Sequence, residues 1–177
     1  MVIHGEFKVN ILKYLSITIL FFVLILFSCN NDKQRIKVGQ HAPDFSLYTP
    51  EREKISTKKY YGKYLLIHFW ADWCSQCRAE FPKLEESYRN LRDRNFEIVA
   101  VNVGQSAGHV REFIKRYHIS FPMVMDGDLR MSKIYGVTGL PTNYFINDKG
   151  IIFKIIIGWV NEQQILKILE EMKNEKV

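Results

Sequence analysis

The stretch that most limits what this chain can fold into is Trp73-Cys74-Ser75-Gln76-Cys77, set between the apolar run Tyr64 to Trp70 and the helix-like segment Arg78 to Leu91. Two thiols are thereby fixed at a strand-to-helix junction. A junction of that kind presents unpaired backbone N–H groups and the positive end of a helix macrodipole, and both favour a thiolate over a thiol. Cys74, at the first turn, is therefore the expected nucleophile. Cys77 follows by three residues on the same helical face, where it can attack a mixed disulfide formed at Cys74 and release the partner. The chemistry this predicts is thiol-disulfide exchange.

With 177 residues, 47% of them hydrophobic and 25% charged, the chain can hold one ordinary globular domain and an appendage. The formal net charge of +6 is spread along the sequence without a basic stripe. It reads as a solvated surface, with no nucleic acid among the expected partners. Cys29, outside the exchange pair, belongs to the N-terminus. Lys8 and Lys13 precede the apolar run Tyr14 to Phe27, the pattern of an export signal. The junction Leu26-Phe27-Ser28-Cys29 resembles the lipobox of bacterial lipoproteins, in which the cysteine is lipidated and becomes the first residue after cleavage. Phe27 is bulkier than that pattern usually carries, and the alternative is an uncleaved signal anchor. The run has fourteen residues, short of the ~20 of a spanning helix unless it extends back through Ile11 and Leu12. Either way the chain divides into an export signal (1–28), a polar tether (29–38) and a folded domain (39–177) held outside the cytoplasmic membrane.

Within the domain, Phe45 to Tyr48 and Lys54 to Thr57 read as a small hairpin. Tyr64 to Trp70 and Phe96 to Val103 read as central strands joined by the cysteine-bearing helix, hence parallel with a right-handed crossover. Pro82 is expected to interrupt and kink that helix. Ser106 can cap a helix running to about Tyr117. Pro122 to Met125 is a short strand, and Leu129 to Tyr135 a short helix ended by Gly136. Asn143 to Ile146 and Ile151 to Ile156 flank the turn Asn147-Asp148-Lys149-Gly150, and Asn161 caps a final helix with Ile165, Ile168, Leu169 and Met172 inward. The fold class is α/β, a central mixed sheet flanked by helices with an N-terminal β-hairpin extension.

That order of elements, with Phe69-Trp70-Ala71-Asp72-Trp73-Cys74-Ser75-Gln76-Cys77 after the first central strand and Gly139-Leu140-Pro141-Thr142 before the closing hairpin, resembles the thioredoxin superfamily. Ala42-Pro43-Asp44-Phe45 and Cys77-Arg78-Ala79-Glu80-Phe81-Pro82 look like its membrane-tethered, extracytoplasmic branch typified by TlpA and ResA. The resemblance covers roughly residues 39 to 172. It implies that Pro141 is the cis-proline facing the cysteines, and that the exposed backbone of Leu140 pairs with an extended substrate segment as an added strand. It also implies that Glu80, adjoining Cys77 on the helix face, takes the proton of the resolving thiol if burial raises its pKa; otherwise it is an early-helix acid that complements the dipole. Trp73 is expected to pack on the disulfide and on incoming peptide, with Ser75 and Gln76 facing the substrate. Gln76 stands where this branch commonly has proline. His68 stands where thioredoxin has a buried aspartate. It is either a proton relay toward the cysteines or a core histidine satisfied by hydrogen bonds.

The implied activity is that of a tethered thiol-disulfide oxidoreductase, working as a reductant of exported proteins such as apocytochrome c. Its expected partners are those exported disulfide-containing proteins, a membrane thiol reductant and the membrane itself. The protein is expected to be a monomer with no cofactor beyond the Cys74–Cys77 disulfide. The competing classes are weaker. A metal module lacks a second ligand pair, and haem attachment needs histidine where Arg78 stands. Peroxiredoxins share Ala-Pro-Asp-Phe but place threonine and proline where this chain has Ala71 and Ile67. A disulfide oxidant or isomerase, or a non-catalytic envelope lipoprotein, would keep the fold and change the role.

Overall fold

Two apolar runs long enough to be covered on both faces build the centre of the sheet, and the remaining elements are laid against them. The computed structural model describes Tyr14, Thr18 and residues 36–174. The elements are β1 (Ser46–Tyr48), β2 (Lys54–Ser56), β3 (Tyr64–Trp70), α1 (Ser75–Leu91), β4 (Phe96–Val103), α2 (Ala107–Tyr117), β5 (Met123–Asp126), α3 (Arg130–Tyr135), β6 (Thr142–Ile146), β7 (Ile152–Ile157) and α4 (Glu162–Asn174), with 3₁₀ turns at Thr57–Tyr60 and Arg92–Arg94. The strand order is β2-β1-β5-β4-β3-β6-β7. β3, β4 and β5 run parallel, while β6 and β7 close one edge and the β1–β2 hairpin the other, all antiparallel. The mixed sheet and the hairpin extension match the expected fold class.

Alternation along β3 divides the core. Leu66 and Trp70 pack with Phe81 and Leu84 of α1, Phe113 of α2 and Ile165, Ile168 and Leu169 of α4. Leu65, Ile67 and Phe69 face the other way, toward Phe45, Ile55 and the α3 residues Met131 and Tyr135. Phe81 is the hub of the first layer. Its ring lies 4.7 Å from those of Trp70 and Phe113, 5.4 Å from His68 and 6.1 Å from Phe121.

Several expected boundaries move for local reasons. The cysteine helix begins at Ser75, because Cys74 is its N-cap: its sulfur accepts the Cys77 N–H at 3.2 Å, the place usually taken by a serine or aspartate oxygen. Pro82 lies inside α1 and does not end it. A proline removes only one backbone donor, and the buried side chains of Phe81 and Leu84 hold the turns on either side. α3 starts at Arg130 because Leu129 is left-handed (φ 59°), and buried Asp126 accepts the N–H groups of Met131 and Ser132 at 2.9 and 2.8 Å. Asn161 and Gln164 cap α4 reciprocally, each side chain accepting the other's N–H at 2.9 Å.

The larger compact unit of the chain runs from Arg35 to Val177. Gly39 donates its N–H to Ile152 at 2.8 Å and Ala42 to Gly150 at 2.9 Å, fastening the segment before β1 to the β6–β7 hairpin. Tyr14 and Thr18 apart, the export signal expected over 1–28 lies outside the described residues, as does Cys29. Among the described residues, no helix is long and apolar enough to cross a membrane.

Replacing Phe81 with alanine removes the ring that four aromatic neighbours share. The expected loss is about 3–5 kcal/mol of unfolding free energy, measured by urea titration with an unchanged m-value. A loss below about 1 kcal/mol would contradict its place at the hub.

Candidate active site

Cys74 and Cys77 are joined in a disulfide with Cα atoms 5.3 Å apart. Cys74 retains 8% of its surface and Cys77 none, so only the first sulfur can be reached from solution. The turn that delivers them is held from behind: Gln105 accepts the Asp72 N–H at 2.7 Å and an Asn102 side-chain N–H at 2.9 Å, and Arg78 donates to the Asp72 carbonyl. Trp73, Ser75 and Gln76 are all exposed around the disulfide, Trp73 to 67%.

Glu80 lies one turn beyond Cys77 and is 2% exposed. Its Oε1 accepts the Val160 N–H at 2.8 Å, while Oε2 has no hydrogen-bond partner among the described residues. Burial pushes the carboxyl up from its ordinary 4.5 to about 7, against the lowering pull of the Val160 N–H. A carboxyl in that range can take and return a proton near neutrality.

The Leu140–Pro141 peptide bond is cis. Leu140 itself makes no backbone hydrogen bond among the described residues, which leaves its N–H and C=O free for an added strand. The Pro141 carbonyl accepts the Gly158 N–H at 2.8 Å, binding this loop to the end of β7.

His68 is fully buried on β3, edge-on to Phe81. Its Nδ1 lies 2.8 Å from Asn143 Oδ1. Asn143 donates its amide N–H to the Gly158 carbonyl at 2.7 Å, so Oδ1 is the acceptor and Nδ1 carries the imidazole proton. Nε2 has no partner among the described residues. Burial lowers the His68 pKa from 6.5 to about 4, despite the raising effect of the Asn143 bond. The ring is thus neutral at physiological pH. It is half satisfied, and its hydrogen-bond partner is an asparagine.

Two residues of this neighbourhood were not singled out in the sequence. Asn143 is visible there only as an amide in an otherwise apolar strand, a position where asparagine is disfavoured. Trp159 follows the last strand as a lone aromatic, and nothing in its spacing relates it to Glu80.

A disulfide between a fully buried Cys77 and a less buried Cys74 at a helix N-cap, together with a cis Leu140–Pro141 bond, has the form of a thioredoxin-like site. The chain belongs to the AhpC/TSA family, whose model matches residues 38–155. Its reaction class is thiol-disulfide oxidoreductase, of the ResA-like kind. Over 133 residues it is 37% identical to the thiol-disulfide oxidoreductase ResA of Bacillus subtilis (strain 168), covering 75% of this chain and 74% of that one. Among solved structures it is similar to a Chlorobium tepidum protein assigned as thiol:disulfide interchange protein DsbE (TM-score 0.70, 28% identity, 76% of this chain and 99% of that one). It is also similar to StoA from Bacillus subtilis (TM-score 0.63, 31% identity, 73% and 98%).

Folded Glu80 keeps its proton up to about pH 7, whereas the unfolded chain releases it near 4.5. Between those values the native state binds more protons, so the Glu80 contribution makes stability fall as pH rises. A Glu80→Gln variant keeps the oxygen that accepts Val160. Its stability relative to the parent should grow by of order 3 kcal/mol from pH 4.5 to 7 and level off above. Urea unfolding of both disulfide-linked proteins across that range measures it, and a difference independent of pH would contradict the buried acid.

Proposed function

We propose that this protein is a membrane-tethered, extracytoplasmic reductant that delivers two electrons from the Cys74/Cys77 dithiol to disulfides of exported proteins, apocytochrome c among them. The observation that carries the reading is the pairing of the reachable Cys74 sulfur on a helix N-cap with a fully buried Cys77 next to the raised-pKa Glu80. The name of a relative with 37% identity, thiol-disulfide oxidoreductase ResA, supports the exchange chemistry.

In the reduced protein the Cys74 thiolate attacks one sulfur of the substrate disulfide. The Cys74–substrate bond forms, the substrate S–S bond breaks, and the departing thiolate takes up a proton. Cys77 then gives its proton to ionised Glu80 and attacks the Cys74 sulfur, expelling the second substrate thiolate. The substrate leaves as two thiols and the protein is left with the Cys74–Cys77 disulfide. The free backbone of Leu140, beside Pro141, holds the substrate as an added strand while this happens, with Trp73, Ser75 and Gln76 along its path. His68 is neutral and directed to Asn143, so a ring that positions the β6 end suits it better than a proton relay.

The proposal includes the chain's surroundings. Lipidation at Cys29, or an uncleaved signal anchor, holds the domain to the envelope as a monomer. A membrane thiol reductant restores the dithiol, since the surroundings are oxidising. The redox-active disulfide is the sole cofactor.

The reduction potential of the full chain in detergent, equilibrated in defined thiol buffers and read by Trp73 fluorescence, tests the direction. A value near or below about −270 mV is expected of an electron donor, and one near about −120 mV would make the protein an oxidant or isomerase. Cys74→Ser should abolish exchange, and Cys77→Ser should accumulate mixed disulfides with the natural partners. Equal trapping by both variants would overturn the assigned roles.

A further inference from the structure

The face of the sheet away from α1, α2 and α4 carries a cavity of about 570 Å³ between the β1–β2 hairpin, the 3₁₀ turn that follows it and α3. Phe45, Leu47, Met131 and Ile134 give it an apolar lining. Lys54, Lys58 and Arg130 stand around it, all three exposed. None of them has a carboxylate within ion-pair distance among the described residues. Asp44 is the one carboxylate among the described residues lining the cavity, and its Oδ1 already accepts the Thr57 hydroxyl at 2.9 Å and the Tyr61 hydroxyl at 3.1 Å. Asp128, outside the lining, accepts the main-chain N–H of Arg130 at 3.1 Å.

Three cations against one carboxylate leave the cavity with an excess of positive charge beside apolar side chains. Ser46 and Ser56, opposite one another across the β1–β2 ladder, also line it, and their hydroxyls make no hydrogen bond among the described residues. Such a lining fits an anionic group joined to an apolar body: the cations and hydroxyls take the charge, and the side chains beside them take the carbon.

The course of the chain points to one such molecule. Ile36 packs on the same core layer as Phe45 and Met131, so the chain enters the domain on the cavity's side of the sheet. From Cys29 to Ile36 is seven residues, at most about 25 Å of extended chain. A bilayer that holds the chain at Cys29, or just before it, is therefore within reach of this side. Each cation near an anionic lipid surface raises its occupancy by about fivefold. Three are too few to hold a free protein there, but enough to orient a domain that a short tether already confines to the surface.

We infer that this cavity takes the phosphate headgroup of an anionic phospholipid, and that this turns the β1–β2 hairpin and α3 toward the bilayer and α2 and α4 away from it. The inference deepens the envelope reading given above and rests on its membrane tether. Cys74, Cys77, Glu80, Leu140 and Pro141 are absent from the lining, so a bound lipid does not take the substrate's place.

The test uses the full chain in lipid nanodiscs, of phosphatidylcholine alone or mixed with phosphatidylglycerol, and reads the acetylation rate of each lysine by mass spectrometry. Phosphatidylglycerol should slow Lys54 and Lys58 by about fivefold and change Lys115 of α2 and Lys167 of α4 by less than about twofold. The protection should vanish at about 1 M salt, where surface charges are screened within a few ångströms. In Arg130→Glu it should fall to within about twofold of the rate in phosphatidylcholine, with Lys115 and Lys167 unchanged as evidence of folding. Soluble glycerol phosphate added to phosphatidylcholine discs should not reproduce it. Unprotected Lys54 and Lys58, equal slowing of all four lysines, protection that survives Arg130→Glu, or protection by glycerol phosphate would overturn the lipid site while leaving the tether standing. A full chain that separates from discs of either composition would remove the tether reading, and this site with it.

Discussion

The packing of α1 across β3 is the constraint on which the rest depends. Phe81 binds the helix to Trp70 and His68 of the strand and to Phe113 of α2. Because β3 ends at Trp70 and α1 begins at Ser75, the intervening residues must turn within a few positions, and the cysteines are held just beyond the C-terminal end of this central strand. The helix then supplies its own chemistry. The backbone donor that would be left unpaired at its start is taken by the Cys74 sulfur, the one that the proposed exchange makes the nucleophile.

Burial acts in opposite directions on Glu80 and His68. It holds a proton on Glu80 to about pH 7 and keeps one off the His68 ring down to about pH 4. Near neutrality the imidazole is uncharged and the carboxyl only partly ionised, which limits the charge enclosed among the aromatic rings. Glu80 stays at the edge of ionisation and can respond when a thiol beside it must lose a proton.

Much of this architecture is written in local patterns. The unbroken apolar run of β3, the three-to-four spacing of Phe81, Leu84 and Tyr88, and the capping residues Ser106 and Asn161 are sequence features, and they place most elements to within a residue or two. The cysteine pair and Gly139-Leu140-Pro141-Thr142 are contiguous motifs and equally legible. The contacts that hold Trp159 are of another kind. They join Glu80 to Val160 and Asn143 to Gly158, pairs distant in sequence that meet only because β6, β7 and α1 converge at one end of the sheet. Neither periodicity nor capping encodes such a meeting. The helix begins at Ser75, ahead of the expected Arg78, for a related reason, since cysteine is not ordinarily read as an N-cap.

The fastening of Gly39 and Ala42 to Ile152 and Gly150 has a mechanical meaning. Ile152 and Gly158 are six residues apart, so this attachment lies about 20 Å along the strand from Gly158. A pull applied to the chain ahead of residue 39 passes into the β6–β7 hairpin at its turn through those two hydrogen bonds and the one that the Ile152 N–H donates to the Gln40 carbonyl. The load path reaches neither α1 nor the Pro141 loop directly. The disulfide follows the opposite end of β3, so a pull from that side does not act on its sulfurs directly.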